Sequence, residues 1–318
     1  MGSGSPVKIL VTGAKGQLGM ELKSLGRNPE YEFIFSDLPD LDLTDRPSVR
    51  RFFESNKPGY CINCAAYTAV DKAETEKDAA FRVNVTAVEN LGLACAEFGT
   101  RMIHISTDFV FPGQSVMPLR EQDPTGPLNH YGLTKLEGEK VALKHCPQVI
   151  ILRTSWLYCP YGQNFVKTIL QAVRVKDSLK VVYDQIGTPT YAGDLADAIM
   201  TIVPGIADGQ FQLDSVCGIY HYSNEGVASW YDFAKAILEF RGIHTPVIPV
   251  LTSQYPTLAR RPPFSVLDKS RIKNTFGLTI PHWRDSLLKC LSLIEEHPLF
   301  FVSPPRIGGR PLRITPVA

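Results

Sequence analysis

The amino-acid sequence predicts an α/β fold, in which a doubly wound parallel sheet is followed by a smaller C-terminal lobe. Three observations lead to this prediction. Short apolar runs alternate with stretches of helical periodicity over the first half of the chain, as in a parallel sheet covered by helices on both faces. A glycine-rich turn follows the first run. Beyond about residue 153, short strand and helix patterns are mixed with proline-rich loops, which indicates a second and less regular lobe.

The individual elements follow from periodicity. Apolar runs predict strands at 7–12, 32–36, 60–65, 101–106 and 148–152, and shorter ones at 180–183 and 218–223. Helical spacing predicts helices at 20–25, 45–56, 77–98, 131–144, 165–175, 194–202 and 229–239. We expect some segments of the second half to return to the sheet of the first.

Composition excludes several classes of protein. The 33 basic and 32 acidic residues nearly cancel, so the sequence predicts neither a nucleic-acid partner nor a membrane partner. We expect no signal peptide, and the sequence has no apolar run of the ~18–20 residues that span a bilayer. Seven scattered cysteines suit a reducing compartment, and a cytoplasmic location is expected. Cys61 and Cys64 have redox-motif spacing but lie in a predicted strand, which favours packed thiols.

The glycine-rich turn indicates a dinucleotide site. Its segment GAKGQLG places Gly13, Gly16 and Gly19 between a predicted strand and a predicted helix. Glycines let the backbone approach a diphosphate, whose charge is attracted by the free N–H groups of the helix. Asp37, located 18 residues beyond Gly19, favours the ribose hydroxyl of NADH. Lys15 inside the turn favours the 2′-phosphate of NADPH instead, so both cofactors are retained.

A tyrosine and a lysine four residues apart form the predicted catalytic pair, because Tyr131 and Lys135 share one face of a predicted helix. Reduction of a ketone needs a hydride at carbon, which a nicotinamide supplies, and a proton at oxygen. A tyrosine supplies that proton if its pKa falls from about 10, and a nearby lysine ammonium should lower the pKa. Thr107, in the segment STD at the end of a predicted strand, offers a hydroxyl that can orient the carbonyl.

Joined together, these motifs resemble those of the extended short-chain dehydrogenases, and more closely those of the dTDP-4-dehydrorhamnose reductase family. The resemblance runs in order from about residue 7 to 295. It is carried by TGAKGQLG at 12–19, NCAAYTAVDKAE at 63–74, STDFVF at 106–111, PLNHYGLTKLEGE at 127–139, RTSWLY at 153–158, NFVKT at 164–168, DQIGTPT at 184–190, YPT at 255–257 and Arg261-Pro262 before Ser265.

The resemblance implies a reaction and a set of site residues. Thr107, Tyr131 and Lys135 would form the catalytic trio, which reduces the C4 ketone of dTDP-4-dehydro-L-rhamnose to give dTDP-L-rhamnose. The implied cofactor contacts are Gly13, Gly16, Gln17, Leu18, Asp37, Ala65, Ala66 and Tyr67, to which the glycine motif adds Lys15 and Gly19. The resemblance also implies NADPH or NADH as cofactor and a homodimer. Some family members hold magnesium at the dimer interface, but the acidic residues of that contact are not recognisable in this sequence, so no metal is expected.

The expected substrate is a dTDP-linked 4-keto-6-deoxy sugar, and the resemblance places Trp156, Asn164 and Arg261 at its site. The diphosphate of such a substrate suits the planar fork of an arginine, and Arg261 lies in a proline-rich loop. Asp71 and Lys72 are interpreted as the exposed start of a helix.

Four segments follow from these assignments. Residues 1–6 are typical of a leader added for expression, and 7–155 form the expected dinucleotide-binding Rossmann domain. Residues 156–300 form the expected substrate-binding lobe, with segments that return to the sheet, and 301–318 form a loosely held tail.

Two other functions compete with this one. A related enzyme could reduce a different dTDP-4-ketosugar, and no motif in the sequence separates the two. A non-catalytic regulatory subunit is the alternative from another class, because the beta subunit of methionine adenosyltransferase resembles the same reductases and keeps the Tyr-x-x-x-Lys pattern. Turnover discriminates between these classes, since a regulator would bind the dinucleotide without oxidising it.

Overall fold

A computed structural model describes residues 6–25 and 30–296, and within them it confirms the predicted α/β class. The expected leader at 1–6, apart from Pro6, and the expected tail at 301–318 lie outside the described residues. The principal sheet has six strands, all of them parallel.

The strands and helices are numbered in chain order. The strands are β1 Val7–Thr12, β2 Tyr31–Ser36, β3 Tyr60–Asn63, β4 Arg101–Thr107, β5 Val149–Thr154, β6 Leu157–Tyr158, β7 Leu179–Val182, β8 Ile186–Gly187, β9 Thr190–Tyr191, β10 Gly218–His221, β11 Ala228–Ser229 and β12 Val247–Val250. The helices are α1 Gln17–Ser24, α2 Arg46–Asn56, α3 Val70–Ala73, α4 Lys77–Phe81, α5 Ala87–Phe98, α6 His130–His145, α7 Phe165–Ala172, α8 Ala192–Ala207, α9 Leu213–Val216, α10 Trp230–Phe240, α11 Ser270–Phe276 and α12 Trp283–Glu296.

The order of the strands decides where a ligand can bind. The sheet runs β10-β5-β4-β3-β1-β2, so the chain moves outward in one direction from β1 to β2 and then in the other from β3 onward. In an open parallel sheet, ligands bind beyond the carboxyl ends of the strands at this point of reversal. The glycine turn after β1 and the end of β4 therefore face one crevice.

Alternation along the strands divides the core between the two faces of the sheet. Ile9 and Val11 of β1 pack with apolar residues of α1, α8 and α11. Leu10, between them in sequence, packs on the other face with residues of α2, α5 and α6. Helices thus cover both faces and exclude water from the strands, which explains their continuous apolar runs.

The second half of the chain contributes both to the sheet and to a separate core. Its strand β10 pairs in parallel with β5 and extends the sheet. The remaining strands form three two-stranded pairs, β6 with β9, β7 with β12 and β8 with β11. Their core is rich in aromatic side chains, which are Trp156, Tyr158, Phe165, Tyr191, Trp230, Phe233 and Trp283.

One predicted element differs in the structure, because the helix expected at 77–98 is interrupted. A π-helical turn at Arg82–Thr86 separates α4 from α5. It turns the Asn84 amide inward, where the side chain accepts from the backbone N–H of Tyr67 at 2.8 Å and donates to Thr134 of α6 at 3.0 Å. Such long-range bonds are invisible to helical periodicity, which is why the interruption was not predicted.

All seven cysteines are free thiols, and Cys61 is buried in β3 while Cys64 lies just beyond it and is only partly buried. Among residues 6–25 and 30–296, the structure contains no helix with both the length and the apolar character needed to cross a bilayer.

Candidate active site

The glycine turn forms a close-packed cradle between β1 and α1. Gly13 has a φ of +65°, and a Cβ atom there would lie 2.6 Å from the backbone nitrogen of Ala65. A Cβ on Gly19 would meet the Gly13 carbonyl oxygen. Gly16 is the N-cap residue of α1 and offers no side-chain cap, so the free N–H groups of the first helical turn are available to an anion. The cradle therefore fits the diphosphate of a dinucleotide.

Asp37 follows the end of β2 and is tied to the glycine turn. Its carboxylate accepts from the backbone N–H of Lys15 at 2.9 Å and from that of Leu38 at 2.9 Å. The Lys15 ammonium turns to the Leu38 carbonyl oxygen at 2.9 Å. Each carboxylate oxygen of Asp37 keeps a further lone pair for a ribose hydroxyl. Asp37, which favours NADH, therefore lies next to Lys15, which favours NADPH.

A cavity of about 560 Å³ connects this cradle with the predicted catalytic residues. This volume is in the usual range for a cofactor site. The cavity is lined by nine of the ten predicted cofactor positions, by the catalytic trio and by Trp156. Gly19 is the exception, since it packs against the backbone of Gly13 and Ala14 and lets α1 approach the turn.

Helix α6 and strand β4 bring the predicted trio together. Asn129 caps α6 by accepting from the backbone N–H of Gly132 at 2.8 Å, and it donates to the Arg260 carbonyl oxygen at 2.7 Å. This fixes the first turn of the helix, which carries Tyr131. Thr107 is the last residue of β4, and its hydroxyl is close enough to Tyr131 to act on its pKa.

The pKa of Tyr131 shifts in the direction opposite to the one expected from the sequence. Burial raises the pKa of Tyr131, the charge of Asp108 adds to the rise, and the Thr107 hydroxyl opposes it. Lys135 is not among the groups that act on the Tyr131 pKa. Its ammonium donates to the Ile105 carbonyl oxygen at 2.6 Å. Burial also lowers the pKa of Lys135 to about 8, although Glu139 opposes that fall.

A buried ion pair beneath the trio was not found from the sequence. Glu139 of α6 receives two hydrogen bonds from Arg153 of β5, at 2.9 and 2.7 Å, and one from the Ser106 hydroxyl. The side chains of the pair are 2–3% exposed. The pair fastens the helix of Tyr131 and Lys135 to the two strands below it. The sequence signal was a glutamate one helical turn after Lys135.

Trp156 lines the same cavity as the trio. It has a φ of +46°, which is unusual for a residue other than glycine. Its ring stacks on Trp230 with centroids 3.6 Å apart, and a Cβ on Gly187 would lie 2.7 Å from the indole. The packing thus holds Trp156 in a strained conformation at the cavity wall, a placement consistent with its predicted role.

The structure places Asn164 differently from a ligand-binding side chain. It is fully buried and caps α7 by accepting from the Lys167 backbone N–H at 3.2 Å. Its amide donates to the Gln17 side chain at 3.1 Å and to the Cys159 carbonyl oxygen at 2.8 Å. Asn164 is not part of the cavity lining. Its amide group is used in hydrogen bonds within the protein.

Arg261 forms a two-pronged ion pair with Asp71. Its two terminal nitrogens lie 3.2 and 3.0 Å from the two carboxylate oxygens, and one of them also donates to the Ala259 carbonyl oxygen. Burial alone would raise the pKa of Asp71, but the hydrogen bond from Arg261 and further contacts leave it lowered. Asp71, interpreted from sequence as part of an exposed helix start, is thus the partner of the predicted substrate arginine.

Asp108 is a further site residue that sequence reasoning did not assign. It is 2% exposed and lines the same cavity as Thr107. Its signal in the sequence was its position directly after Thr107 at a strand end.

No cluster of three or more His, Cys, Asp or Glu side chains suited to a metal ion occurs within residues 6–25 and 30–296.

Comparisons with known proteins agree with this geometry. The family model of the RmlD substrate binding domain matches residues 7–295. The dTDP-4-dehydrorhamnose reductase of Aggregatibacter actinomycetemcomitans is 42% identical over 287 residues, covering 88% of this chain and 97% of the relative.

The chain is also similar to solved structures of dTDP-4-dehydrorhamnose reductases. A dTDP-4-dehydrorhamnose reductase of Clostridium acetobutylicum has a TM-score of 0.85 and 40% identity, and covers 91% of this chain and 100% of its own. That of Bacillus anthracis, solved in complex with NADP, has a TM-score of 0.85 and 35% identity, with coverages of 91% and 99%. These matches confirm the resemblance read from the motifs, and the chain belongs to the dTDP-4-dehydrorhamnose reductase family.

Proposed function

We propose that this protein is an NAD(P)H-dependent reductase that converts the C4 ketone of dTDP-4-dehydro-L-rhamnose to the alcohol of dTDP-L-rhamnose. The observation that carries the proposal is the single cavity that joins the glycine cradle to Thr107, Tyr131 and Lys135. A cofactor bound at one end would have its reactive end directed towards the trio. The names of the relatives with the same motifs support this choice of substrate.

The residues of the cradle would hold the dinucleotide. Gly13 lets the turn pack directly against the backbone of Ala65, where a Cβ would clash, and α1 directs its free N–H groups at the diphosphate. The nicotinamide supplies a hydride when bound. Asp37 would accept from the adenosine ribose, and Lys15 at the same edge could meet a 2′-phosphate instead. Affinities for NADH and NADPH, measured by titration, rank the two.

The trio would handle the proton and the ketone oxygen. We assign Tyr131 as the donor of the proton, and Thr107 as the hydroxyl that orients the carbonyl. Lys135 would stabilise the tyrosinate left after proton transfer, because its ammonium is held one helical turn away from Tyr131 by the Ile105 carbonyl. Its buried position makes this charge effective over a longer range than in water.

The substrate would occupy the part of the cavity bordered by Trp156. We assign Trp156 to the sugar, because its ring is fixed by Trp230 at the cavity wall. We assign Arg261 to the nucleotide end, with its remaining N–H donors, while Asp71 fixes the orientation of the fork. Asn164 would act indirectly, because it holds the side chain of Gln17 in the cradle and does not contact the ligand itself.

The test is turnover of the reduced dinucleotide. We expect loss of NADPH or NADH absorbance when the dTDP-4-keto-6-deoxy-L-sugar is generated in situ, and a much slower loss with Tyr131→Phe. Turnover with another dTDP-4-ketosugar alone would replace the substrate but keep the reaction. Tight binding of dinucleotide without turnover of any ketosugar would contradict the enzyme and favour a regulatory subunit.

A further inference from the structure

The carboxyl group of Asp108 lies beside the proposed catalytic residues but has no part in the reaction described so far. Its Oδ1 atom accepts a hydrogen bond from the Thr107 hydroxyl at 3.1 Å. Its Oδ2 atom is shielded from solvent and has no hydrogen-bond partner of acceptable geometry among the described residues. A buried oxygen that carries negative charge without a partner is costly, so the surroundings of Asp108 favour its neutral form.

The charge of Asp108 decides where the Thr107 hydroxyl proton points. A threonine hydroxyl has one proton. Its oxygen accepts from the Phe109 backbone N–H at 3.3 Å, and its proton is directed at Asp108. When Asp108 is ionised it can only accept, so it holds the Thr107 proton. That proton is then unavailable to the oxygen of a ketone.

A direct contact between Asp108 and a sugar hydroxyl is disfavoured by burial. Oδ2 has almost no surface that a water-sized group could reach, and a hydroxyl is about that size. The carboxyl is therefore better placed to act through Thr107 than to bind substrate itself.

We propose that Asp108 is a positioning residue whose protonated carboxyl donates to the Thr107 hydroxyl oxygen and thereby releases the Thr107 proton towards the substrate ketone. The ionised carboxyl turns the same proton away and weakens the site. Asp108 keeps its proton through the reaction. The hydride added to the ketone carbon still comes from the nicotinamide, and the proton added to its oxygen still comes from Tyr131. This inference rests on the proposed reductase function.

The groups that act on Asp108 give the direction of its pH dependence. Burial raises its pKa to about 6, while the nearby Ser265 and Thr107 hydroxyls and the Asp108 and Phe109 backbone N–H groups oppose the rise. Tyr131 faces it from α6. The protonated fraction falls as pH rises through this pKa, so activity should fall in the same window. Anionic ligands in the cavity would raise the pKa further and move the fall in kcat to higher pH than the fall in kcat/KM.

The first experiment records kcat/KM and kcat against pH for the wild-type protein and Asp108→Asn. We expect the wild type to lose about tenfold in kcat/KM per pH unit above the pKa of Asp108. The amide of Asp108→Asn donates at every pH, so this decline should disappear and only the later fall that follows Lys135, whose pKa is about 8, should remain. Asp197→Asn is the matched control, because burial also raises the pKa of Asp197 but the residue lies on α8, outside the cavity lining. Its profile should keep the wild-type decline.

A second variant tests the same idea without changing the carboxyl. Ser265→Ala removes a hydroxyl that lowers the pKa of Asp108, so the decline should move to higher pH. A purely structural role for Asp108 predicts no such movement. A wild-type profile without the decline, or a decline that persists unchanged in Asp108→Asn, overturns the inference. A higher KM at all pH values with the decline intact would make Asp108 a substrate contact instead. Absence of wild-type turnover at every pH overturns the proposed function, and this inference with it.

Discussion

The side-chain amide of Asn164 lies 3.1 Å from the side-chain oxygen of Gln17, and this hydrogen bond joins the start of α7 to the glycine turn. The same Gln17 side chain donates to the Leu157 carbonyl oxygen at 3.3 Å. Two bonds thus connect the proposed cofactor cradle to the second half of the chain, at β6 and at the start of α7. Dinucleotide binding at the cradle should therefore depend on the position of these two segments.

Replacing Asn164 separates its two roles. Asn164→Ala removes the cap of α7, which should lower the free energy of unfolding by about 1 kcal/mol, and it also removes the donor to Gln17. Asn164→Asp keeps a cap acceptor but loses the donor. We expect both variants to bind dinucleotide more weakly, and only the alanine variant to lose the cap contribution. Denaturant unfolding and dinucleotide titration measure the two effects. A change confined to the KM of the sugar nucleotide would instead support a direct substrate contact.

Removing the Tyr131 hydroxyl should separate chemistry from binding. In Tyr131→Phe the ring remains and the proton donor is lost, so kcat should fall by roughly 10²–10⁴ while the dinucleotide Kd stays unchanged. Tyr220→Phe is the matched control, because that buried hydroxyl donates to the Val216 carbonyl oxygen away from the cavity. A Tyr131→Phe variant with wild-type kcat would remove Tyr131 from the proton-transfer step.

The buried pair of Glu139 and Arg153 should affect both stability and pH dependence. Glu139→Gln leaves the Arg153 charge without its partner, which should cost about 3–5 kcal/mol of unfolding free energy. Because Glu139 raises the pKa of Lys135, its loss should lower that pKa below about 8. Lys135 would then lose its charge at lower pH, and the alkaline fall in activity should begin earlier.

Surface glutamates provide the control for this variant. Glu137 pairs with Lys140 on the exposed face of α6 at 2.8 Å, and Glu137→Gln should change stability by less than about 1 kcal/mol. Denaturant unfolding and the pH profile of kcat measure both effects. Equal stability of the two variants, or an unmoved alkaline limb in Glu139→Gln, would contradict the assignment.

Local patterns predicted most of the fold and part of the site. Alternation, helical spacing and the glycine turn found the strands of the sheet and the cradle, because each depends on neighbours in sequence. Asp71 and Arg261 are 190 positions apart, and no local pattern shows that they pair. The raised pKa of Tyr131 was also missed, since it depends on burial by the whole fold rather than on the lysine four residues away.

Arg261→Lys tests whether the geometry of the fork matters at the nucleotide end. A lysine keeps the charge but cannot engage both oxygens of Asp71 and still offer donors to a diphosphate. We expect a higher KM for the sugar nucleotide with little change in kcat. Arg260→Lys is the control. The side chain of Arg260 is exposed, so this variant should leave the KM unchanged. Asp71→Asn adds a second arm: a KM as high as in Arg261→Lys would show that the pair works as a unit. An unchanged KM in Arg261→Lys would remove Arg261 from the substrate site and leave it as the structural partner of Asp71.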